Sequence, residues 1–196
     1  MTVASKLLMG AGIGESTMAI SPAFAGKTSW NFSTDGALNI GTTGAYTITP
    51  DKDITVDIEM WGGGGAAGWD YTSGTATTSR VSAGGGGGFA TGRLVLKSGV
   101  EYVLHIGEGG AALSGTAGSG SRANADYRAG GVQSNYGAQG AGYSGIFKTS
   151  TVNQSNAKLI AGGGGGGGDS SFSGTGGAGG GAVAQDNGGG AQGGGG

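Results

Sequence analysis

Alternation of apolar and polar residues marks the clearest secondary-structure element, a strand over residues 54–61. Every second position is apolar, at Ile54, Val56, Ile58 and Met60, and the positions between these four are polar or charged. Successive side chains of a strand point to opposite faces, so this spacing is typical of a strand with one buried face. The segment therefore predicts one side of a β-structured core.

Further short runs of β-branched and aromatic residues are separated by turn signals such as Asp35-Gly36 and Ser98-Gly99. They predict strands over residues 30–33, 38–40, 46–49, 89–97, 101–106, 143–149 and 152–161. The runs at 89–97 and 101–106 are expected to pair with each other and to point Leu94, Leu96, Tyr102, Leu104 and Ile106 inward. No helix is predicted. About six to eight short strands with intervening turns favour an all-β fold, an antiparallel jelly-roll-like sandwich.

Glycine runs begin and end where the predicted strands do. Gly accounts for 52 of 196 residues, and the runs at 62–65, 84–88 and 162–168 directly adjoin strands. An isolated glycine run has no side chain to bury and loses much backbone freedom when it is ordered. Several runs that leave one end of a sandwich can instead pack as extended threefold helices joined by backbone hydrogen bonds. We therefore expect packed polyglycine II helices, with a less ordered glycine-rich tail over residues 188–196.

The first 29 residues are mostly small and surround one apolar patch. The patch consists of Leu7, Leu8, Met9 and Ile13. Glycines within it disfavour a stable helix. We expect an extended N-terminal arm over residues 1–29 that docks these side chains on a neighbouring subunit or on the following domain, a glycine-rich β module over 30–187. The alternatives are a frayed terminus and a secretory leader ending at Ala23-Phe24-Ala25.

Insertions flanked by glycine, over residues 66–83, 107–142 and 169–173, carry side chains suited to binding. Loops longer than about 15 residues in compact domains are usually functional or disordered, and aromatic residues and arginine are common interface anchors. The candidate receptor-binding or partner-binding residues are Trp69, Tyr71, Arg80, Arg122, Tyr127, Arg128 and Tyr136. The alternative is that these side chains cap the ends of the glycine helices.

Charge and residue types argue against several classes of function. The net charge is −2 without a cluster of Lys and Arg, so nucleic acid is not an expected partner. Cysteine is absent, which excludes disulfides and thiolate metal sites. The sequence has no run of about 20 apolar residues, so membrane insertion is not expected. The single histidine, His105, lies within a predicted strand, so no catalytic triad is expected. We predict a non-enzymatic protein without a metal or other cofactor.

The order of strands and glycine runs resembles that of a known group of proteins. A strand ending in Glu59-Met60-Trp61 precedes the run at 62–65, the run at 84–88 leads into another strand, and a later strand leads into the run at 162–168. This order, over residues 45–185, is similar to the glycine-rich module of phage tail fibre and virion proteins. It is also similar in layout to the glycine-rich extracellular module of anaplastic lymphoma kinase receptors. The related T-even-type phage adhesins contain stacked polyglycine helices with receptor-binding loops at their tips.

The resemblance implies a virion structural protein of the tail, fibre, baseplate or capsid surface. Its β module and N-terminal arm would assemble with copies of the same chain and with other virion proteins, on the outside of the particle. One alternative function is host attachment, in which loops between the glycine runs bind a receptor on the cell surface. A second alternative is a glycine-rich ice-binding protein, for which tripeptide repeats and a regular face of small residues are expected.

Overall fold

A computed structural model describes residues 6–11, 16–72, 75–110, 138–148, 152 and 154–167. Helix is limited in these residues to one turn, α1 (Phe32–Asp35), and a 3₁₀ turn (Gln154–Asn156). The strands are β1 (Lys6–Ala11), β2 (Thr17–Phe24), β3 (Lys27–Asn31), β4 (Leu38–Ile40), β5 (Gly44–Pro50), β6 (Ile54–Trp61), β7 (Gly68–Thr72), β8 (Thr75–Ser82), β9 (Phe89–Leu96), β10 (Tyr102–Ile106), β11 (Ser144–Phe147) and β12 (Ala157–Ala161). The prediction of an all-β fold is confirmed.

The strands form two larger sheets and one separate hairpin. Sheet A has the strand order β4-β1-β6-β9, and sheet B has the order β12-β11-β10-β5-β2-β3. Strands β7 and β8 pair only with each other in this part of the chain. Neighbouring strands run antiparallel throughout.

One hydrophobic core takes residues from both sheets. The predicted alternation of β6 is confirmed, because its apolar positions are buried and the polar positions between them are exposed. Sheet A also contributes Met9, Leu38 and Leu96, and sheet B contributes Ile48 and Leu104 to the same buried cluster. Since one cluster draws on the two sheets, they pack face to face in a sandwich-like body.

Residues 6–11 and 17–24 of the predicted N-terminal arm form strands of these two sheets. Strand β1 lies between β4 and β6, where Leu7 and Leu8 are in register with both neighbours and Met9 is fully buried. Strand β2 lies between β5 and β3 of sheet B. A central strand forms backbone hydrogen bonds on both sides, which orders a segment that would be too glycine-rich to form a helix alone. The expected boundary at residue 29 falls inside β3, and Ile13 lies outside the described residues.

The strand predicted over residues 30–33 ends early. Strand β3 stops at Asn31, whose side chain accepts a hydrogen bond from the Ser33 N–H at 2.9 Å and starts the single turn of α1. Asparagine is among the most favoured N-cap residues, so this local capping ends the strand.

The expected pairing of residues 89–97 with 101–106 is wrong. Strand β9 pairs with β6 in sheet A, whereas β10 pairs with β5 and β11 in sheet B. Between them, Gly99 has a φ angle of 67°, and its N–H donates to the Pro50 carbonyl at 2.9 Å. The turn is therefore tied to the end of β5 and carries the chain from one sheet to the other.

Strand β10 is buried on both faces, which its alternation did not predict. Leu104 and Ile106 are in the core as expected, but His105 on the opposite face is only 7% exposed. The rings of Tyr143 and Phe147 lie 5.9 and 5.6 Å from the His105 ring, centroid to centroid. Aromatic residues around β11 thus cover the outer face of this strand.

Candidate functional site: the glycine bundle

Five glycine-rich segments leave the same end of the two sheets. Segment 1 (62–67) follows β6, segment 3 (107–110) follows β10 and segment 5 (162–167) follows β12. Segment 2 (83–88) precedes β9, and segment 4 (138–142) leads through Tyr143 into β11. Their strands are neighbours in the sheets, so the segments start side by side. Together they are called the glycine bundle below.

Segment 1 donates backbone hydrogen bonds to two neighbours. Towards segment 2, Gly62 N–H donates to Gly88 O at 2.9 Å and Gly65 N–H to Gly85 O at 2.8 Å. Towards segment 4, Gly63 N–H donates to Gly142 O at 3.1 Å and Ala66 N–H to Gln139 O at 3.0 Å. Each neighbour therefore receives a bond from every third residue of segment 1.

Segment 5 has the same three-residue spacing towards three neighbours. Its carbonyl oxygens accept hydrogen bonds from N–H groups of segment 2, from Gly85 to Gly165 and from Gly88 to Gly162. They also accept from segment 4, from Ala138 to Gly167 and from Ala141 to Gly164. It donates to segment 1 through Gly164–Gly63 and Gly167–Ala66. Segment 3 joins the bundle through Gly110 N–H to Gly64 O and through its acceptor Glu108 O, which receives Gly142 N–H. Segments 1, 2 and 5, segments 1, 4 and 5, and segments 1, 3 and 4 thus form three mutually bonded triplets.

The segments approach too closely for most side chains. A Cβ atom built at Gly62 would lie 2.0 Å from the Gly162 carbonyl oxygen, and one at Gly65 would lie 2.0 Å from the Gly165 oxygen. A Cβ atom at Gly87 would likewise lie 2.1 Å from the Gly62 oxygen. These distances leave room only for a Cα hydrogen, whose contact with the carbonyl oxygen adds a weak hydrogen bond. Close approach thus explains why glycine occupies these positions.

At the far end of the bundle, the described ends of segments 1, 3 and 5 and the start of segment 4 lie close together. Ala66 O accepts from Gly167 N–H at 2.9 Å, and Gly167 O accepts from Ala138 N–H at 2.8 Å. A Cβ atom built at Gly110 would lie 2.4 Å from Ala66 N, so the end of segment 3 is adjacent as well. We call this end, formed by Ala66, Gly110, Ala138 and Gly167, the bundle tip. Segment 1 continues from this tip into the described residues that follow it, and the described parts of segments 3 and 5 end at it.

Part of the predicted binding set follows segment 1 along the chain. Segment 1 continues directly into β7, which carries Trp69 and Tyr71, and β8 carries Arg80 back to segment 2. Trp69 and Arg80 are partners in the hairpin register, and Tyr71 is opposite Ala76. Within the predicted insertion at 66–83, strands β7 and β8 therefore pair as an antiparallel hairpin. Arg122, Tyr127, Arg128 and Tyr136 lie outside the described residues.

Sequence reasoning did not identify segments 3 and 4 as members of the bundle. Segment 3 is interrupted by Glu108, and segment 4 contains Ala138, Gln139 and Ala141. The available signal was the position of Gly107-Glu108-Gly109-Gly110 immediately after β10, the same arrangement that identified segments 1 and 5.

His105 connects the body to the base of the bundle. Its Nδ1 atom lies 3.0 Å from the Tyr143 hydroxyl oxygen, within hydrogen-bond distance, and Tyr143 directly follows segment 4. The Ser144 hydroxyl accepts a hydrogen bond from Gly107 N–H at 3.1 Å, beside this pair. These contacts fix the start of segment 3 and the end of segment 4, which is a positioning role.

Carboxylates on the body are engaged in structural pairs. Asp57 binds the Arg93 guanidinium through two contacts, at 2.6 and 3.0 Å, and these hydrogen bonds hold the pKa of Asp57 below its usual value. The pKa of Asp53 is lowered by its hydrogen bonds with Lys97 and with the Ser98 N–H. Both carboxyl groups are therefore charged partners of the sheet surface near neutral pH.

Among the described residues, no group of three or more His, Cys, Asp or Glu side chains is placed to hold a metal ion. The same residues include no helix long and apolar enough to cross a membrane. Comparison of the chain with known protein families, with curated proteins and with solved structures finds no match.

Proposed function

We propose that the protein is a non-enzymatic structural component of a phage particle, in which a jelly-roll-like body carries a stiff bundle of polyglycine II helices. The observation that carries this proposal is the three-residue spacing of the hydrogen bonds between the glycine segments. A polyglycine II helix has three residues per turn and no internal hydrogen bonds, so every third residue points to the same neighbour. A β-strand would instead alternate with a period of two.

A bundle of this kind suits a structural role. Its backbone groups are bonded to neighbouring segments, and within the described residues it offers hardly any side chain for chemistry. Because the strands of the body fix the starting positions of all five segments, much of the entropy cost of ordering glycine is offset by the sheets. The phage context comes from the resemblance in the order of strands and glycine runs.

The test of this role is the presence of the chain in assembled particles. Particles from cells that express the gene are purified on a density gradient and probed with antibodies against the recombinant chain. The proposal predicts that the chain sediments with intact particles and that the antibodies label their surface in electron micrographs. Particles that assemble without the chain would contradict it.

A second candidate function, recognition of a host-surface receptor, is favoured by the position of the β7–β8 hairpin. This hairpin, with Trp69 and Arg80 in register, begins where segment 1 reaches the bundle tip, next to the described ends of segments 3 and 5. A stiff spacer with chain segments gathered at its far end is a suitable arrangement for presenting a binding surface away from the body. We propose that this end contacts the host while the body stays with the particle.

Recognition is tested by binding of fluorescently labelled protein to host cells. Trp69→Ala and Arg80→Ala are each expected to weaken binding by about tenfold or more, since aromatic and arginine anchors commonly dominate interfaces. Lys52→Ala is the matched control, because Lys52 is exposed in the turn between β5 and β6 at the opposite end of the body. Equal binding by all variants would remove the recognition role and leave the structural one intact.

A further inference from the structure

A groove runs along the bundle between segments 2 and 5, on the side away from segment 1. Segments 2 and 5 bond each other and segment 1, and segment 4 bonds segment 5 on its opposite flank. Among the described segments, none makes a hydrogen bond to segment 2 or segment 5 from within this groove. We call it the outer groove.

The backbone of Gly165 points its N–H group at the outer groove. A polyglycine II helix has three residues per turn, so each direction turns by about 120° from one residue to the next. From Gly164 to Gly165, the direction of the carbonyl group turns from segment 4 to segment 2. The N–H direction turns equally and in the same sense. Since the Gly164 N–H points at segment 1, the Gly165 N–H points past segment 2 into the groove.

Two polar groups of the outer groove have no hydrogen-bond partner within the described part of the chain. Gly165 is buried, yet its N–H donates to no described group. Across the groove, the Gly86 carbonyl oxygen accepts no hydrogen bond, and a Cβ atom built at Gly164 would lie 2.8 Å from it. Buried backbone N–H groups are almost always paired in folded proteins. The groove therefore offers a donor and an acceptor to one more segment.

The bonded triplets of the bundle follow one rule, which such a segment would satisfy. Segment 1 donates to segment 2, segment 2 to segment 5, and segment 5 back to segment 1. The other two triplets are also cyclic, because segment 1 donates to segment 4, segment 4 to segments 3 and 5, and both of these to segment 1. A segment that accepts from Gly165 and donates to Gly86 closes a fourth cycle with segments 2 and 5.

The sequence after segment 5 contains a run with the required pattern. Residues 174–181 are glycine except for Thr175 and Ala178, which are three residues apart. In a helix with three residues per turn, these two side chains lie on one side, and the two other sides are entirely glycine. Segment 4 shows that such a run enters the bundle, because Ala138 and Ala141 have the same spacing.

The connection from segment 5 to this run is long enough and has the right direction. Six residues, 168–173, separate the run from Gly167 at the bundle tip, and they can span up to about 20 Å. A chain that turns at the tip returns towards the body, which is the direction of segments 2 and 4. Eight residues at about 3.1 Å each cover roughly 25 Å, more than the six residues of segment 5 require.

We propose that the outer groove binds residues 174–181 of the same chain as a sixth polyglycine segment, antiparallel to segment 5. The two all-glycine sides of the run face segments 2 and 5, and Thr175 and Ala178 face away from both. Residues 174–181 lie outside the described residues, so their sequence carries this part of the argument. The inference rests on the polyglycine II packing proposed above and is independent of the phage role.

Amide exchange of two full-length variants tests the proposal. Gly177→Val adds a branched side chain to an all-glycine side of the run, whereas Ala178→Val, the matched control, enlarges a side chain on the remaining side. At Gly165 we expect exchange about tenfold faster or more in Gly177→Val than in the natural sequence, and nearly unchanged exchange in Ala178→Val. Equal exchange at Gly165 in the two variants would overturn the proposal.

Gly62 and Gly88 report on the bundle itself in the same experiment. Their N–H groups donate between described segments, so both residues should stay protected in the two variants. Rapid exchange at these residues in the natural sequence would contradict polyglycine packing and this inference together. Protection there, without any effect of Gly177→Val at Gly165, would contradict this inference alone.

A measurement on the natural sequence does not depend on the folding of either variant. A hydrogen bond transmits a scalar coupling from the donor nitrogen to the acceptor carbonyl carbon, and we expect one from Gly165 to a residue within 174–181. The coupling should persist after about tenfold dilution, because a contact within one chain does not depend on protein concentration. Absence of the coupling, a coupling to another part of the chain, or its loss on dilution, as binding of a second copy would give, would overturn the proposal.

Discussion

The sandwich-like body and the glycine bundle are ordered by opposite means. In the body, side chains such as Ile58 and Leu104 are fully buried between two sheets, and removal of apolar surface from water drives their packing. In the bundle, side chains are largely absent, and N–H and carbonyl groups of different segments meet at distances such as 2.7 Å between Ala141 N and Gly164 O. Loss of side-chain volume should therefore destabilise the body, whereas an added side chain should destabilise the bundle.

This difference explains why the bundle depends on the body. Burial of apolar surface is not directional, so a side-chain core tolerates small adjustments of its strands. A hydrogen-bonded array of glycine segments needs its members held in a fixed position and direction, because glycine otherwise loses too much freedom on ordering. Neighbouring strands such as β6 and β9 supply that position, since each runs directly into a segment.

The largest effect is expected from adding a side chain inside the bundle. Gly65→Val places atoms where the Gly165 carbonyl oxygen stands 2.0 Å from a built Cβ, so segments 1 and 5 must separate. We expect a loss of about 4 kcal/mol or more in the free energy of unfolding, or a body that folds with a disordered bundle. Urea denaturation together with amide exchange distinguishes these two results.

The matched control for that variant is Gly86→Ala. Nothing lies within 4 Å of a Cβ atom at Gly86, so the added methyl group should change stability by less than about 0.5 kcal/mol. Equal destabilisation by the two variants would show that glycine is needed for backbone conformation and not for close packing of segments.

A somewhat smaller effect is expected from removing a side chain in the body. Leu104→Ala leaves a cavity in the core, where Leu104 is fully buried, and should cost about 3 kcal/mol. Because Leu104 belongs to the core cluster between the sheets, the hydrogen bonds of segments 1 and 2 should stay protected from exchange at low denaturant. Loss of that protection without global unfolding would contradict the separation of the two regions.

The junction between the regions should show an intermediate sensitivity. Tyr143→Phe keeps the ring against Phe147 but removes the hydroxyl group that lies 3.0 Å from His105 Nδ1. We expect a cost of about 1 kcal/mol, the usual contribution of one hydrogen bond. Faster amide exchange should be confined to segments 3 and 4, whose ends meet at this place. A uniform change over the whole bundle would argue against a local positioning role.

The smallest effect is expected from acid titration of the body. The pKa of Asp57 is lowered by its hydrogen bonds with Arg93, and the pKa of Asp53 by its hydrogen bonds with Lys97 and Ser98. The pKa of Asp35 is lowered by its hydrogen bonds with Asn31 and Lys27. A lowered folded pKa stabilises the protein above the unfolded value of about 3.9, and the contribution is lost as the pH falls through the folded value. Stability from these pairs should thus be constant from pH 7 to 5 and decrease below pH 4. The pairs are exposed, so the decrease should be small and weaker in high salt.

Asp57→Asn sharpens this prediction. In this variant, the free energy of unfolding measured by urea denaturation should fall less between pH 4 and 2 than in the natural sequence. The bundle amides should keep their protection from exchange. A pH dependence identical to that of the natural sequence would show that the Arg93 pair contributes nothing.

The parts of the fold that follow from local pattern were predictable from the sequence. Strand β6 was identified because its burial alternates residue by residue, and segments 1, 2 and 5 were identified because glycine runs adjoin strands. Strand pairing was not predictable in the same way. Strands β9 and β10 are adjacent in sequence and separated by a short turn, yet Gly99 and the Pro50 carbonyl direct them into different sheets.

Strand β1 and segment 4 were not predicted, because both are ordered by hydrogen bonds to neighbouring segments that are distant in the sequence. Strand β1 contains a glycine, and its sequence alone gives no strand signal. Its order comes from hydrogen bonding to β4 and β6 on either side. Segment 4 has only one glycine pair separated by Ala141, and it becomes recognisable only through its bonds to segments 1 and 5. The binding role of Trp69 and Arg80 stays a prediction, and their register partnership in the β7–β8 hairpin could be known only from the strand pairing.

Residue-resolved amide exchange of the glycine segments tests directly whether they are hydrogen-bonded to one another. In dilute solution, we expect strong protection at Gly62, Gly65, Gly85 and Gly88, whose N–H groups donate to neighbouring segments, and exchange close to the open-chain rate at Gly86. That contrast within one glycine run arises only if the segments are hydrogen-bonded with a three-residue spacing. Uniformly fast exchange across segments 1 and 2, in a protein whose β6 amides are protected, would contradict it.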